Sequence, residues 1–123
     1  MKQILLTAFA FVVLVGCGPS QPSEKDLELI KSARIGDIEA AKKYLANGAN
    51  ANAKNKLGET PLHGAAFNNR TNIIRLLLDN GANINAEDNN GYTPMDMAKG
   101  EASLLLDKLG GKENKRIEIA TQE

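Results

Sequence analysis

The chain has 123 residues, with 15 basic and 15 acidic side chains and a formal net charge of zero. That length holds one domain, and the balanced charge leaves no basic footprint for nucleic acid and no polybasic patch for anionic lipid. A single Cys excludes an intramolecular disulfide, and a single His leaves little material for metal or acid–base chemistry.

Met1-Lys2 gives a short positive start, and residues 4–15 form an uncharged, mostly apolar run. This run suits the core of a signal peptide and falls short of the ~20 residues that span a bilayer. It ends in Leu14-Val15-Gly16-Cys17, which resembles the lipobox of bacterial lipoprotein signals. The resemblance implies that residues 1–16 are removed as a lipoprotein signal peptide and that the Cys17 thiol carries a lipid. Two or more acyl chains would then hold the protein in the bacterial envelope. An ordinary secretory peptide with an incidental Cys, or an uncleaved anchor, is the competing reading. Gly18, where an inner-membrane retention signal has Asp, implies delivery to the outer membrane of a Gram-negative host, facing the periplasm. Residues 17–23 form the lipidated Cys and a short polar tether, Gly18-Pro-Ser-Gln-Pro-Ser23. At ~3.5 Å per residue the tether spans about 20 Å, which keeps the folded part close to its membrane.

Ser23-x-x-Asp26 has the form of a capping box and opens a helix to about Arg34, with Leu27, Ile30 and Ala33 on one face. Gly36 breaks it. Ile38, Ala41 and Leu45 mark a second helix, closed by Asn47-Gly48 with Lys42 and Lys43 outward and Tyr44 toward the core. In the next unit Thr60 can N-cap a helix and Pro61 suits its first turn, where a missing N–H costs nothing. Leu62, Ala65 and Ala66 allow close packing, and Asn69 stands where the first unit has Gly36. Ile73, Ile74, Leu76, Leu77 and Leu78 make the main apolar helix, ended by Asn80-Gly81. The third unit begins with Thr93-Pro94 in register. Gly110 then arrives four residues early, which predicts a shortened second helix over 102–109.

The units echo one another at an interval of 33. Leu45-Ala-Asn-Gly-Ala-Asn-Ala-Asn-Ala53 returns as Leu78-Asp-Asn-Gly-Ala-Asn-Ile-Asn-Ala86, and Gly58-Glu-Thr-Pro-Leu-His63 as Gly91-Tyr-Thr-Pro-Met-Asp96. A fixed period of this size signifies stacked supersecondary units. The period, the Thr-Pro-Leu-His-Gly-Ala run and the Gly-Ala-Asn-x-Asn-Ala endings together resemble the ankyrin repeat. The resemblance implies an all-α fold, a short solenoid of about three helix-pair units with projecting β-hairpin loops. The domain is expected over 24–111, in units of about 24–56, 57–89 and 90–111, with the outer two serving as caps. Residues 112–123 are read as a polar tail.

Catalytic machinery is scarce. His63 lies inside Thr-Pro-Leu-His, and the resemblance gives its ring a structural role with Thr60, Pro61, Thr93 and Pro94, tying repeats together through backbone. Asp37 with Glu39 and Glu87 with Asp88 lack a third ligand group, so no metal or cofactor is expected, and no phosphate loop or nucleophile elbow occurs. The Asn69-Arg-Thr71 glycosylation triplet is incidental in a bacterial setting. The chain reads as a non-enzyme.

The resemblance also implies where a partner protein would sit, in a groove lined by hairpin tips and first helices. The corresponding residues are Lys56, Leu57 and Glu59, then Phe67 and Asn68, then Asn89, Asn90 and Tyr92, with Arg34 and Ile35 in the first unit. Phe67 and Tyr92 are aromatic anchors of the type that dominates interfaces; alternatively Phe67 folds under its helix and Tyr92 covers the rim. The expectation is a monomeric, membrane-anchored adaptor that binds an unidentified protein, as a protector or inhibitor such as an immunity protein. A structural or assembly spacer of the envelope is the alternative, and a small enzyme is disfavoured.

Overall fold

The computed structural model describes residues 21–114. The signal segment, Cys17 and most of the tether lie outside the described residues, as does the tail from 115 onward. Six helices follow in order among the described residues: α1 (Glu24–Ile35), α2 (Ile38–Ala46), α3 (Pro61–Phe67), α4 (Thr71–Asp79), α5 (Pro94–Met97) and α6 (Gly100–Lys108). They form three antiparallel pairs. The first helices α1, α3 and α5 pack side by side in one layer, and α2, α4 and α6 form the second.

Each unit opens with the same local device. Ser23 accepts from Asp26 N while Asp26 accepts from Ser23 N, and Thr60–His63 and Thr93–Asp96 repeat the reciprocal box. Two of the N–H groups that a helix start leaves unpaired are satisfied at each box. The α1–α2 turn is made by Gly36 at φ 90°, and the α3–α4 turn by Asn69 at φ 58°. Asn is among the few residues with a side chain that visit this left-handed region routinely.

The core lies between the two helix layers. Leu29, Leu62, Ile73, Ile74, Leu77 and Leu106 are fully buried there, with Ala33, Ala65, Ala66 and Ala102 letting the helices approach. Burial of one such Leu or Ile contributes about 1.5–3 kcal/mol. Tyr44 is half-buried against this core. The face of α1 differs from the expected one. Leu27 is 45% exposed, and Leu29, Ile30 and Ala33 are the buried residues. The cause is helix length: in register, Leu27 stands at the position of the cap Thr60, so it lies on the extra turn by which α1 exceeds α3.

The third unit also departs from expectation. Its second helix, α6, is nine residues long, as are α2 and α4, while α5 is cut to four. Ala98 leaves the helical region at ψ 148°, and α6 starts at Gly100, where Ala102 N donates to Asn69 Oδ1 at 2.8 Å. The four missing residues therefore come from α5 and the turn after it. The second helix keeps its length because Ala102, Leu105 and Leu106 must cover the apolar face of α4.

The projecting loops are hairpin-like turns, with no strand among the described residues. Gly58 N donates to Asn55 O and Asn55 N to Glu59 O; Gly91, Asp88 and Tyr92 repeat the pattern. Gly58 (φ 79°) and Gly91 (φ 82°) take the left-handed place that closes such a tip. Neighbouring tips are joined by Asn89 N to Leu57 O at 3.0 Å and Asn89 Nδ2 to Lys56 O at 2.8 Å.

A concave groove as the candidate binding site

Three successive unit features converge on one side of the stack. The C-terminal end of α1 brings Arg34 and Ile35, the C-terminal end of α3 brings Phe67 and Asn68, and the hairpins bring Glu59 and Tyr92. Together they line an open groove of about 940 Å³, mostly apolar in surface. Gly64 forms part of its floor, because a Cβ there would sit 3.3 Å from that of Arg34.

The groove stands on a hydrogen-bonded foundation. His63 is fully buried; its Nε2 lies 2.8 Å from Tyr92 O, and its Nδ1 lies 3.1 Å from Thr60 N. Nδ1 accepts from Thr60 N, which assigns the proton to Nε2, donating to the Tyr92 carbonyl. The ring thus links the second unit to the third and fixes the hairpin that carries Tyr92. Burial pushes the His63 pKa below its ordinary value, against the opposing pull of the Tyr92 carbonyl and the Asp88 and Glu59 charges. Thr60, Pro61, Thr93 and Pro94 are likewise buried beneath the surface.

Of the residues singled out from sequence, Glu59, Phe67, Asn68 and Tyr92 meet in the groove, joined by Arg34 and Ile35. Phe67 is 51% exposed and does not fold under its helix; Lys99 Nζ stands 4.5 Å from the centre of its ring. Tyr92 is 37% exposed. The other four go elsewhere. Lys56 and Leu57 border a separate depression with Pro22 and Leu27. Asn89 is engaged in joining the tips, and Asn90 is exposed at the second tip.

Arg70, Asp96, Met97 and Lys99 complete the lining and were not foreseen. Lys99 belongs to the shortened stretch of the third unit, where the 33-residue register no longer assigns positions. Arg70 follows the left-handed Asn69, and its side chain crosses to the first unit: a Cβ on Gly36 would lie 2.7 Å from Arg70 Nε. The signal for that reach was the absence of a side chain at position 36, opposite a long cation.

Electrostatically the groove is uneven. Arg34 pairs with Glu59 at 3.1 Å, an exposed bridge worth at most about 1 kcal/mol. Arg70 Nε is buried and finds no acceptor. Among the described residues no group of three or more His, Cys, Asp and Glu could hold a metal ion, and no helix is long and apolar enough to cross a membrane.

The family model for ankyrin repeats (3 copies) matches residues 29–116. Human mitochondrial disaggregase is 36% identical over 73 residues, covering 59% of this chain, and its bovine counterpart 35% over 71, covering 58%. The protein VAPYRIN-LIKE of Medicago truncatula is 43% identical over 48 residues, covering 39% of this chain. Each match covers about 10% of the relative's own length. A match over most of the chain, on a stack of three helix pairs with the Thr60 and Thr93 caps 33 residues apart, settles the family: the chain belongs to the ankyrin repeats.

Proposed function

We infer from the ankyrin repeats a role in protein–protein interaction. We propose that this chain is a non-enzymatic adaptor that captures one partner protein in the groove between Arg34, Phe67 and Tyr92. The observation that carries the reading is an aromatic residue half exposed on a rigid helix, beside a second aromatic, in a groove of about 940 Å³. About half of the Phe67 surface stays in water, and burying it under a partner would make it an interface anchor. Replacing both aromatics, Phe67→Ala with Tyr92→Ala, is expected to leave the helical spectrum unchanged and weaken capture of the native partner at least about a hundredfold. Unchanged capture by the folded double variant refutes the groove.

Leu14-Val15-Gly16-Cys17 after an apolar run supports a lipid-anchored protein of the bacterial envelope, with Gly18 favouring the outer membrane. At such a site the adaptor acts as a protector or inhibitor of its partner, such as an immunity protein. Globomycin treatment or Cys17→Ala should leave an unprocessed precursor of higher mass. Normal processing in both cases refutes the lipid anchor.

A further inference from the structure

The groove holds five charged side chains, and their pairing is unequal. Glu59 is occupied by Arg34 and by Asn55 Nδ2, and Arg34 by Glu59. Asp96 accepts from Thr93 N, Thr93 Oγ1 and Asn114 N. Both acids are thus committed within the fold. Among the described residues two of the three cations have no acid beside them: Lys99 Nζ stands over the Phe67 ring, and the Arg70 guanidinium makes no hydrogen bond or ion pair. Arg70 Nε is shielded from water as well, so an N–H there lacks both solvent and acceptor. Nε itself is covered, packed over Gly36, so a ligand from outside meets the terminal Nη groups, whose charge has no acid beside it among the described residues. The same groove is lined by the apolar side chains of Ile35, Phe67 and Met97.

From this arrangement we infer that the groove takes an acidic side chain flanked by an apolar one, on an exposed segment of the partner protein. The carboxylate meets the Arg70 guanidinium, with Lys99 as the second cation, and the apolar neighbour covers Phe67 and Met97. The planar guanidinium suits a carboxylate through two parallel N–H donors. This rests on the groove being the partner site, and it adds the chemistry of what enters it. Gly36 belongs to the device, because any side chain there would displace Arg70.

A pair of small probes tests the chemistry directly: 3-phenylpropionate and its neutral amide, titrated into the full-length chain and followed by nuclear magnetic resonance. The acid should shift the Arg70 Nε–H and Phe67 ring resonances saturably, and the amide should bind about tenfold more weakly. Arg70→Gln should bring the acid down to the level of the amide, and Arg70→Lys should retain part of the difference. Arg75→Gln, an exposed cation of α4 outside the groove, should change nothing. Each variant is compared only with its helical spectrum intact. Equal binding of acid and amide at Phe67 overturns the carboxylate assignment while leaving the groove as an apolar docking site. No saturable shift with the acid overturns the assignment too, and the groove itself then stands or falls with the double aromatic variant. Inorganic phosphate binding more tightly than the acid overturns it in favour of a phosphate-bearing ligand. Sedimentation showing self-association that Arg70→Gln abolishes makes a second copy of the chain the occupant, and equally overturns it.

Discussion

His63 and Asp96 hold corresponding places in successive units, yet they bond in opposite senses. The neutral imidazole accepts from Thr60 and donates forward to the Tyr92 carbonyl at 2.8 Å. The carboxylate can only accept, so it takes Thr93 N behind it and Asn114 N ahead, at 2.9 Å each. The second Asn of each Gly-Ala-Asn-x-Asn motif does similar bridging. Asn52 donates to Gly81 O and accepts from Asn83 N, while Asn85 reaches Gly110 O and Lys112 N. His63→Ala leaves Thr60 N and Tyr92 O without partners in a buried setting, and should cost about 3 kcal/mol in urea unfolding. The pH dependence has a definite sign. Because the folded-state pKa of His63 is depressed, its contribution is complete above the unfolded value of about 6.5 and is lost as pH falls below it. Stability should therefore drop from pH 7 toward pH 5, and the His63→Gln variant should lose that slope.

At the scale of elements, the three units show which parts of a helix pair are negotiable. The first helix ranges from 12 residues in α1 to 4 in α5, while the second stays at 9 throughout. Turns are set by backbone and by contact together. Gly36 and Gly48 have nearly equal φ, 90° and 93°, but only Gly36 faces a neighbour, Arg70. Ala at either position carries the left-handed penalty of about 1–2 kcal/mol. Gly36→Ala should cost about 1 kcal/mol more than Gly48→Ala, because Arg70 must also move. Equal losses in thermal unfolding would show that Arg70 does not rest on the turn. The repeat motifs made the helices, turns and caps of the first two units legible in advance, since each depends on residues a few positions apart; in the third unit the early Gly110 signalled a shortening but not that α5 would bear it. The true face of α1 was not, because Leu27 and Leu29 are equally apolar and only the reach of α3 decides between them. Arg70 and Lys99 escaped notice for a related reason: their meeting with Phe67 and Gly36 crosses units.

The whole molecule is three units held by nearest-neighbour contacts, close to the fewest that sustain such a stack. Each unit's apolar face is buried only by its neighbours, so the units should unfold together. Circular dichroism and tyrosine fluorescence, which reports Tyr44 in the first unit and Tyr92 in the third, should give coincident urea transitions. Asn52→Ala removes two bonds between the first and second projecting loops and should lower stability by about 1–2 kcal/mol, with an unchanged denaturant slope. Separate midpoints for the two probes would break the single cooperative unit. The stack also carries the groove, since no single unit supplies more than a strip of its lining.

The 33-residue echo and the ankyrin-like Thr-Pro-Leu-His run determined the family, the all-helical stack of about three units and the capping places of Thr60 and Pro61. These rest on local geometry: a cap bonds three residues away, a left-handed turn needs Gly or Asn, and a repeated motif repeats its fold. Only the tertiary structure decided which exposed residues share a surface. It placed Glu59, Phe67 and Tyr92 in one groove, put Leu57 at a separate depression and left the Arg70 guanidinium without an acid among the described residues. The physical reason is that such neighbours lie about thirty residues apart and meet through packing, for which periodicity alone carries no record of direction.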